Sequence, residues 1–151
     1  MGQVPTAWRK LSYLTDKPVA SYIEDLYLRI HHLQDWIRDG KRPNKLWLSA
    51  FFFPQGLLTS VLQNYGRKHG YQIDDLVFKH EICPREPEEW EQDGCYIQGL
   101  YLEGAKFSSK IEESEPRVRF TLMPLIYFRP TAAAEVEKRE DMYNCPVYKI
   151  V

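Results

Sequence analysis

Residues able to do chemistry are present in this chain, but few of them fall at a working spacing. The stretch GLYLEGAKF, Gly99 to Phe107, places two glycines five positions apart with a lysine beyond them. It resembles the loop G-x-x-x-x-G-K-[ST], in which backbone amides cradle phosphates, the lysine reaches the terminal ones and the hydroxyl holds magnesium. Here Ala105 intervenes, Lys106 comes one place late and Phe107 follows it. Tyr96, Gln98, Leu100 and Leu102 alternate with Cys95, Ile97, Gly99 and Tyr101, so strand periodicity runs through a segment that should leave a strand and open a helix. A glycine-marked strand turning at Glu103 and Gly104 fits better. His80 and Cys83, with Cys95 twelve residues further on, make a thin zinc set without a fourth ligand at the usual spacing. His31 and His32 are adjacent and cannot share a helix face as an i, i+4 ligand pair would. No G-x-S-x-G elbow occurs. The acidic pairs Asp74-Asp75 and Glu112-Glu113 could serve acid/base work, but adjacent charges of this kind usually stay in water as turn and cap residues. No catalytic, cofactor-binding or metal-binding residue is expected.

The elements around these residues divide the chain. Ile23, Leu26, Ile30, Leu33 and Ile37 recur at alternating spacings of three and four, placing them on one stripe of a helix from Val19 to Asp39, with Pro18 at its start and Gly40 at its stop. A second helix begins at Pro54, with Leu57, Leu58, Val61, Leu62 and Tyr65 on a broad apolar face and a basic last turn before Gly70. Gly66 within it marks either a close neighbour or a fraying end. Between the helices, LWLSAFFF reads as an aromatic-rich extended or irregular segment ending at Pro54. After Gly70 the period changes to two. Strands are expected from Leu76 to Ile82, Cys95 to Glu103, Arg117 to Met123, Leu125 to Phe128 and Val147 to Val151, with an acidic loop around Trp90 between the first two. The fold class is therefore α+β, a helical subdomain over 1–70 followed over 71–151 by a small antiparallel β-barrel or strongly curled sheet, since closure removes exposed edges.

Bulk properties narrow the partners. A chain of 151 residues with 44% apolar content can bury a real core, and a net charge of −1 argues against a dedicated nucleic-acid binder. Residues 1–70 carry ten Lys/Arg against five Asp/Glu, whereas residues 71–151 carry ten against sixteen. The halves either attract each other or are simply two solvated faces. Three cysteines without paired zinc spacing suit a reduced setting, and no apolar run approaches the ~18 residues of a membrane span.

Four segments in order, LWLSAFFFPQGLLTSVLQNYGRK (46–68), DGCYIQGLYLEGAKF (93–107), ESEPRVRFTLMPLIYFRP (113–130) and YNCPVYK (143–149), resemble the C-terminal region of dynein heavy chains, the axonemal type more than the cytoplasmic. The similarity extends from about Val4 to the chain end. Trp47, Phe51, Phe52, Leu58 and Gln63 match the helical-part motif, and Gly94, Tyr96, Gly99, Leu100, Gly104, Pro124, Pro146 and Tyr148 match the barrel motifs. Ala50 and Gly66 stand where relatives often have glycine and alanine. The chain ends at Val151, where family members usually continue into further strands, so a sheet edge could be left unpaired.

The resemblance implies a non-catalytic structural and regulatory domain that packs on the AAA-type ring of the same heavy chain, with Trp47, Phe51, Phe52, Leu58, Gln63 and Gly66 as ring-docking candidates. ATP and magnesium would belong to the parent ring. Microtubules and other dynein subunits would be met only through the parent motor, and neither nucleic acid nor membrane is an expected partner. The implied location is the cytoskeleton of a cilium or flagellum axoneme. The alternative is an independent β-barrel module binding a small apolar ligand or a peptide strand.

Overall fold

The computed structural model describes residues 4–10, 18–103, 105–107, 111–113 and 120–136. A short helix α1 (Thr6–Arg9) precedes the long α2 (Val19–Asp39). Pro18 caps α2 at its start, its carbonyl accepting the Tyr22 amide at 2.9 Å. Gly40 stops the helix in the left-handed region, φ 62°, with its amide on the Trp36 carbonyl. Strand β1 (Lys45–Trp47) and a 3-10 turn (Leu48–Ala50) lead to α3 (Pro54–His69). Here Pro54 occupies the first turn, where no amide is needed. Arg67, Lys68 and His69 face the negative end of the helix dipole, and Gly70 closes it at φ 77°.

The strands follow as β2 (Leu76–Cys83), β3 (Cys95–Gln98), β4 (Tyr101–Glu103), β5 (Ala105–Phe107), β6 (Ile111–Glu113), β7 (Phe120–Leu122) and β8 (Leu125–Ala132). A four-stranded sheet has the order β1-β3-β8-β2, with β1 parallel to β3 and the other pairs antiparallel. β4 pairs with β7, and β5 with β6. The expected barrel is not what forms: among the described residues the sheet is mixed and open, with β1 and β2 as its two edges. The strand period is satisfied equally by a short mixed sheet with helices on one face, because period two reports a half-buried strand and not closure.

Two strands differ from the alternation that suggests them. Cys95 to Glu103 is not one strand, because Gly99 at φ 75° breaks it into β3 and β4. β8 runs past Phe128 to Ala132 through Pro130. β3 pairs with β8 only as far as Phe128, so Pro130 sits where β8 has β2 alone beside it and one missing donor is tolerated. The expected strand from Val147 to Val151 lies outside the described residues.

One sheet face carries Leu46, Cys95, Ile97, Ile126 and Phe128, which join Val61 of α3 and Met123 in the buried core. Trp36, Phe51, Leu57 and Leu58 pack against that cluster from the helical side. The core thus draws on both halves of the sequence, and ion pairs between them add to it: Lys45 with Glu86 at 2.6 Å, and Asp93 with both Lys68 and His69.

Candidate docking surface

The α2 stripe read from the sequence is not the face this helix buries. Leu26 and Leu33 are half-buried, but Ile23, Ile30 and Ile37 are exposed, Ile37 at 79%. The inward face instead carries Tyr22, Asp25, Leu26, Arg29, His32, Leu33 and Trp36, again at spacings of three and four but rotated by roughly 80° at 100° per residue. Sequence reasoning could not choose between the two faces, because Arg29 and His32 on the inward one meet the Trp47 and Phe51 rings only in the tertiary structure. Arg29 bonds Asp25 at 2.8 Å and lies 5.9 Å over the Trp47 ring, and Trp36 and His32 meet Phe51 edge-on at 5.8 and 6.2 Å. Ile23, Tyr27, Ile30 and Ile37 consequently line up on the outside.

The docking candidates divide into two layers. Trp47 is half-buried between α2 and Gly99, where an added methyl would stand 2.9 Å from its ring. Phe51 and Leu58 pack on the core, and Gly66 is buried where a Cβ would come 2.8 Å from the Tyr71 carbonyl oxygen. The close neighbour of Gly66 is thus the protein's own backbone. Phe52 and Gln63 are exposed, as is Phe53, whose ring sits over Gly56 because a glycine there leaves it room. A shallow groove of about 350 Å³ lined by Leu33, Trp36, Ile37, Gly40 and Phe51 joins the α2 stripe to this aromatic segment. Gln63 and Gly66 border a second depression of about 330 Å³, together with Tyr71 and Ile73.

The motif residues of the β part support the opposite face of the sheet. Gly94 is buried, and a Cβ on it would strike the Phe128 carbonyl and come 2.6 Å from the Tyr127 ring. Its amide donates to the Tyr127 hydroxyl at 3.1 Å. Tyr96 stacks on Tyr127 at 4.5 Å and takes Trp90 edge-on at 4.9 Å. Arg129 completes the assembly over Tyr127, bidentate to Glu81 at 2.9 and 3.1 Å and to Glu91 at 2.8 Å through both terminal nitrogens. This is why the acidic loop is not merely solvated. Sequence reading missed Arg129, Tyr127, Glu81 and Glu91 as a unit, since their separations of up to 48 residues carry no local signal. The Arg129 hydrogen bond holds the Glu81 carboxyl below its ordinary value, and burial pushes the Tyr127 phenol up. Leu100 packs on the core, its carbonyl accepting the Met123 amide at 2.8 Å, and Pro124 is half-buried before β8. Gly104, Pro146 and Tyr148 lie outside the described residues.

The candidates for chemistry do not converge. His80 and Cys95 both lie opposite Phe128 on strands flanking β8, hence ~10 Å apart, and Cys83 falls on the other sheet face. Among the described residues no three His, Cys, Asp or Glu side chains are placed to hold a metal ion. Burial raises the Cys95 thiol to about 11, away from thiolate chemistry. Lys106 lies in β5, opposite Glu112 of β6, so a strand continues where a phosphate loop would begin its helix. A cleft of about 620 Å³ beside β2 and β8 has committed charges on its walls, Asp93 to Lys68 and His69, and Arg129 to Glu81 and Glu91.

What the geometry defines, then, is a non-repetitive α+β unit with an uncovered apolar helix face. Residues 1–151 match the family described as the C-terminal domain of the dynein heavy chain, and the protein belongs to that family. It is 44% identical to dynein axonemal heavy chain 12 of Homo sapiens over 99% of its length, 43% to dynein axonemal heavy chain 1 of Mus musculus over 97%, and 41% to dynein axonemal heavy chain 3 of Mus musculus over 99%. It spans only 4 to 5% of the length of these relatives.

Proposed function

We propose that this chain is a non-catalytic structural and regulatory domain of an axonemal-type dynein heavy chain, seated on the ring of ATPase modules in the same polypeptide. The observation that carries the reading is the outward stripe of Ile23, Tyr27, Ile30 and Ile37 in a sequence matching the family from end to end. With Phe52 and Phe53, the exposed area of these side chains is roughly 800 Å², about one partner's share of a standard protein interface. A small ligand would leave most of that surface wet, whereas a folded neighbour would cover it. ATP and magnesium belong to the ring in this reading, and microtubules and other dynein subunits are reached through the parent motor, in the axoneme of a cilium or flagellum.

The action is mechanical. A rigid body seated on ring modules limits how far they rotate relative to one another when nucleotide changes, and so alters their coupling. Phe52, Phe53 and the α2 stripe make the contact, while Trp47, Phe51, Leu58 and Gly66 hold those elements in position from one layer inside. In the intact motor, Ile30→Asp with Ile37→Asp is expected to change ATPase rate or stall force with the domain still folded. Trp47→Ala or Phe51→Ala is expected to act in the same direction by unseating α2. Unaltered motor kinetics in the folded double variant would defeat the proposal.

A further inference from the structure

His32 lies on the inward face of α2, against β1 and the residues that follow it. Its ring meets Trp47 at 6.4 Å and Phe51 at 6.2 Å, both edge-on. Its Nε2 is enclosed and has no hydrogen-bond partner among the described residues. On its own helix the charged groups are Arg29, bonded to Asp25 and lying over Trp47, and Asp35, which attracts the protonated form. From the opposing side, β1 and the 3-10 turn bring Trp47, Leu48 and Ala50, and the one lysine of β1, Lys45, is held by Glu86. A neutral imidazole suits this site. A protonated one leaves an enclosed N–H donor without an acceptor among the described residues.

We infer that His32 makes the seating of α2 on β1 and Phe51 sensitive to pH: the neutral ring lets the helix stay seated, and uptake of a proton from solvent loosens it. Burial lowers the pKa of His32, opposed only in part by Asp35. A histidine whose folded value is depressed contributes stability that is full above its ordinary value of ~6.5 and is lost as pH falls below it. The inference stands apart from ring docking, because it concerns a contact inside the protein.

The test uses the 151-residue protein. Ring proton NMR should place the titration of His32 below ~6.5, and Asp35→Asn should move it lower still. Amide exchange in α2, corrected for its intrinsic pH dependence, should rise several-fold relative to α3 between about pH 7.5 and about pH 5.5. In His32→Gln that rise should vanish, and His32→Phe provides the same comparison should the glutamine variant not fold. Titration at or above ~6.5, an α2 that does not respond, or an equal response in the His32 variants would overturn the inference.

Discussion

A methyl group on Gly99 would stand 2.9 Å from the Trp47 ring at a backbone φ of 75°, so two penalties coincide at one residue. Gly99→Ala should therefore lower stability by about 1–3 kcal/mol in urea unfolding, and Gly94→Ala by at least as much, because its new methyl would meet backbone that cannot yield. The glycines of the family motif are thus tied to particular rings and carbonyls. Titration is tied to particular partners in the same way. Asp93 is held below its ordinary value by hydrogen bonds from Lys68 and then His69. A depressed carboxyl adds stability that is present above its unfolded value of ~4 and is lost as pH falls through the folded one. The stability gap between the wild-type protein and Asp93→Asn should accordingly shrink below about pH 4, whereas the His32 contribution starts to fall at ~6.5. Both partners are partly exposed, so the gap should also narrow in high salt.

At the scale of elements, α2 obeys its helical period and still turns the less obvious face inward. The difference is measurable on neighbouring residues. Trp36 packs on the core and on Phe51, and Trp36→Ala should cost about 2–4 kcal/mol. Ile37, one position later, is 79% exposed, and Ile37→Ser should stay within about 0.5 kcal/mol of wild type. Equal losses at the two positions would mean that α2 sits differently. The bounds of both long helices were legible, since Pro18, Gly40, Pro54 and Gly70 act locally. The orientation of α2 was not, because Arg29 and His32 become acceptable inside only when Trp47 and Phe51 arrive from β1 and the turn after it.

For the whole molecule, the exposed side chains of Ile23, Tyr27, Ile30 and Ile37, with Phe52 and Phe53, offer apolar surface that a second copy can cover. The isolated protein should associate with rising concentration, and Ile37→Lys combined with Phe53→Lys should return it to a monomer in sedimentation velocity. A wild-type protein that stays monomeric at every concentration would count against an exposed stripe in solution. This surface, not a catalytic cluster, is where the functional reading rests.

Punctuation and period, being local properties of the backbone, determined the two long helices, the strand β2 and the α+β class from the sequence alone. The motif residues likewise carried the family resemblance. Sheet closure, the parallel seat of β1 beside β3, the rotation of α2 and the Arg129 assembly were decided by tertiary structure. Each depends on which distant groups come within a few ångströms of one another, and a one-dimensional pattern of apolar and polar residues is compatible with more than one such arrangement.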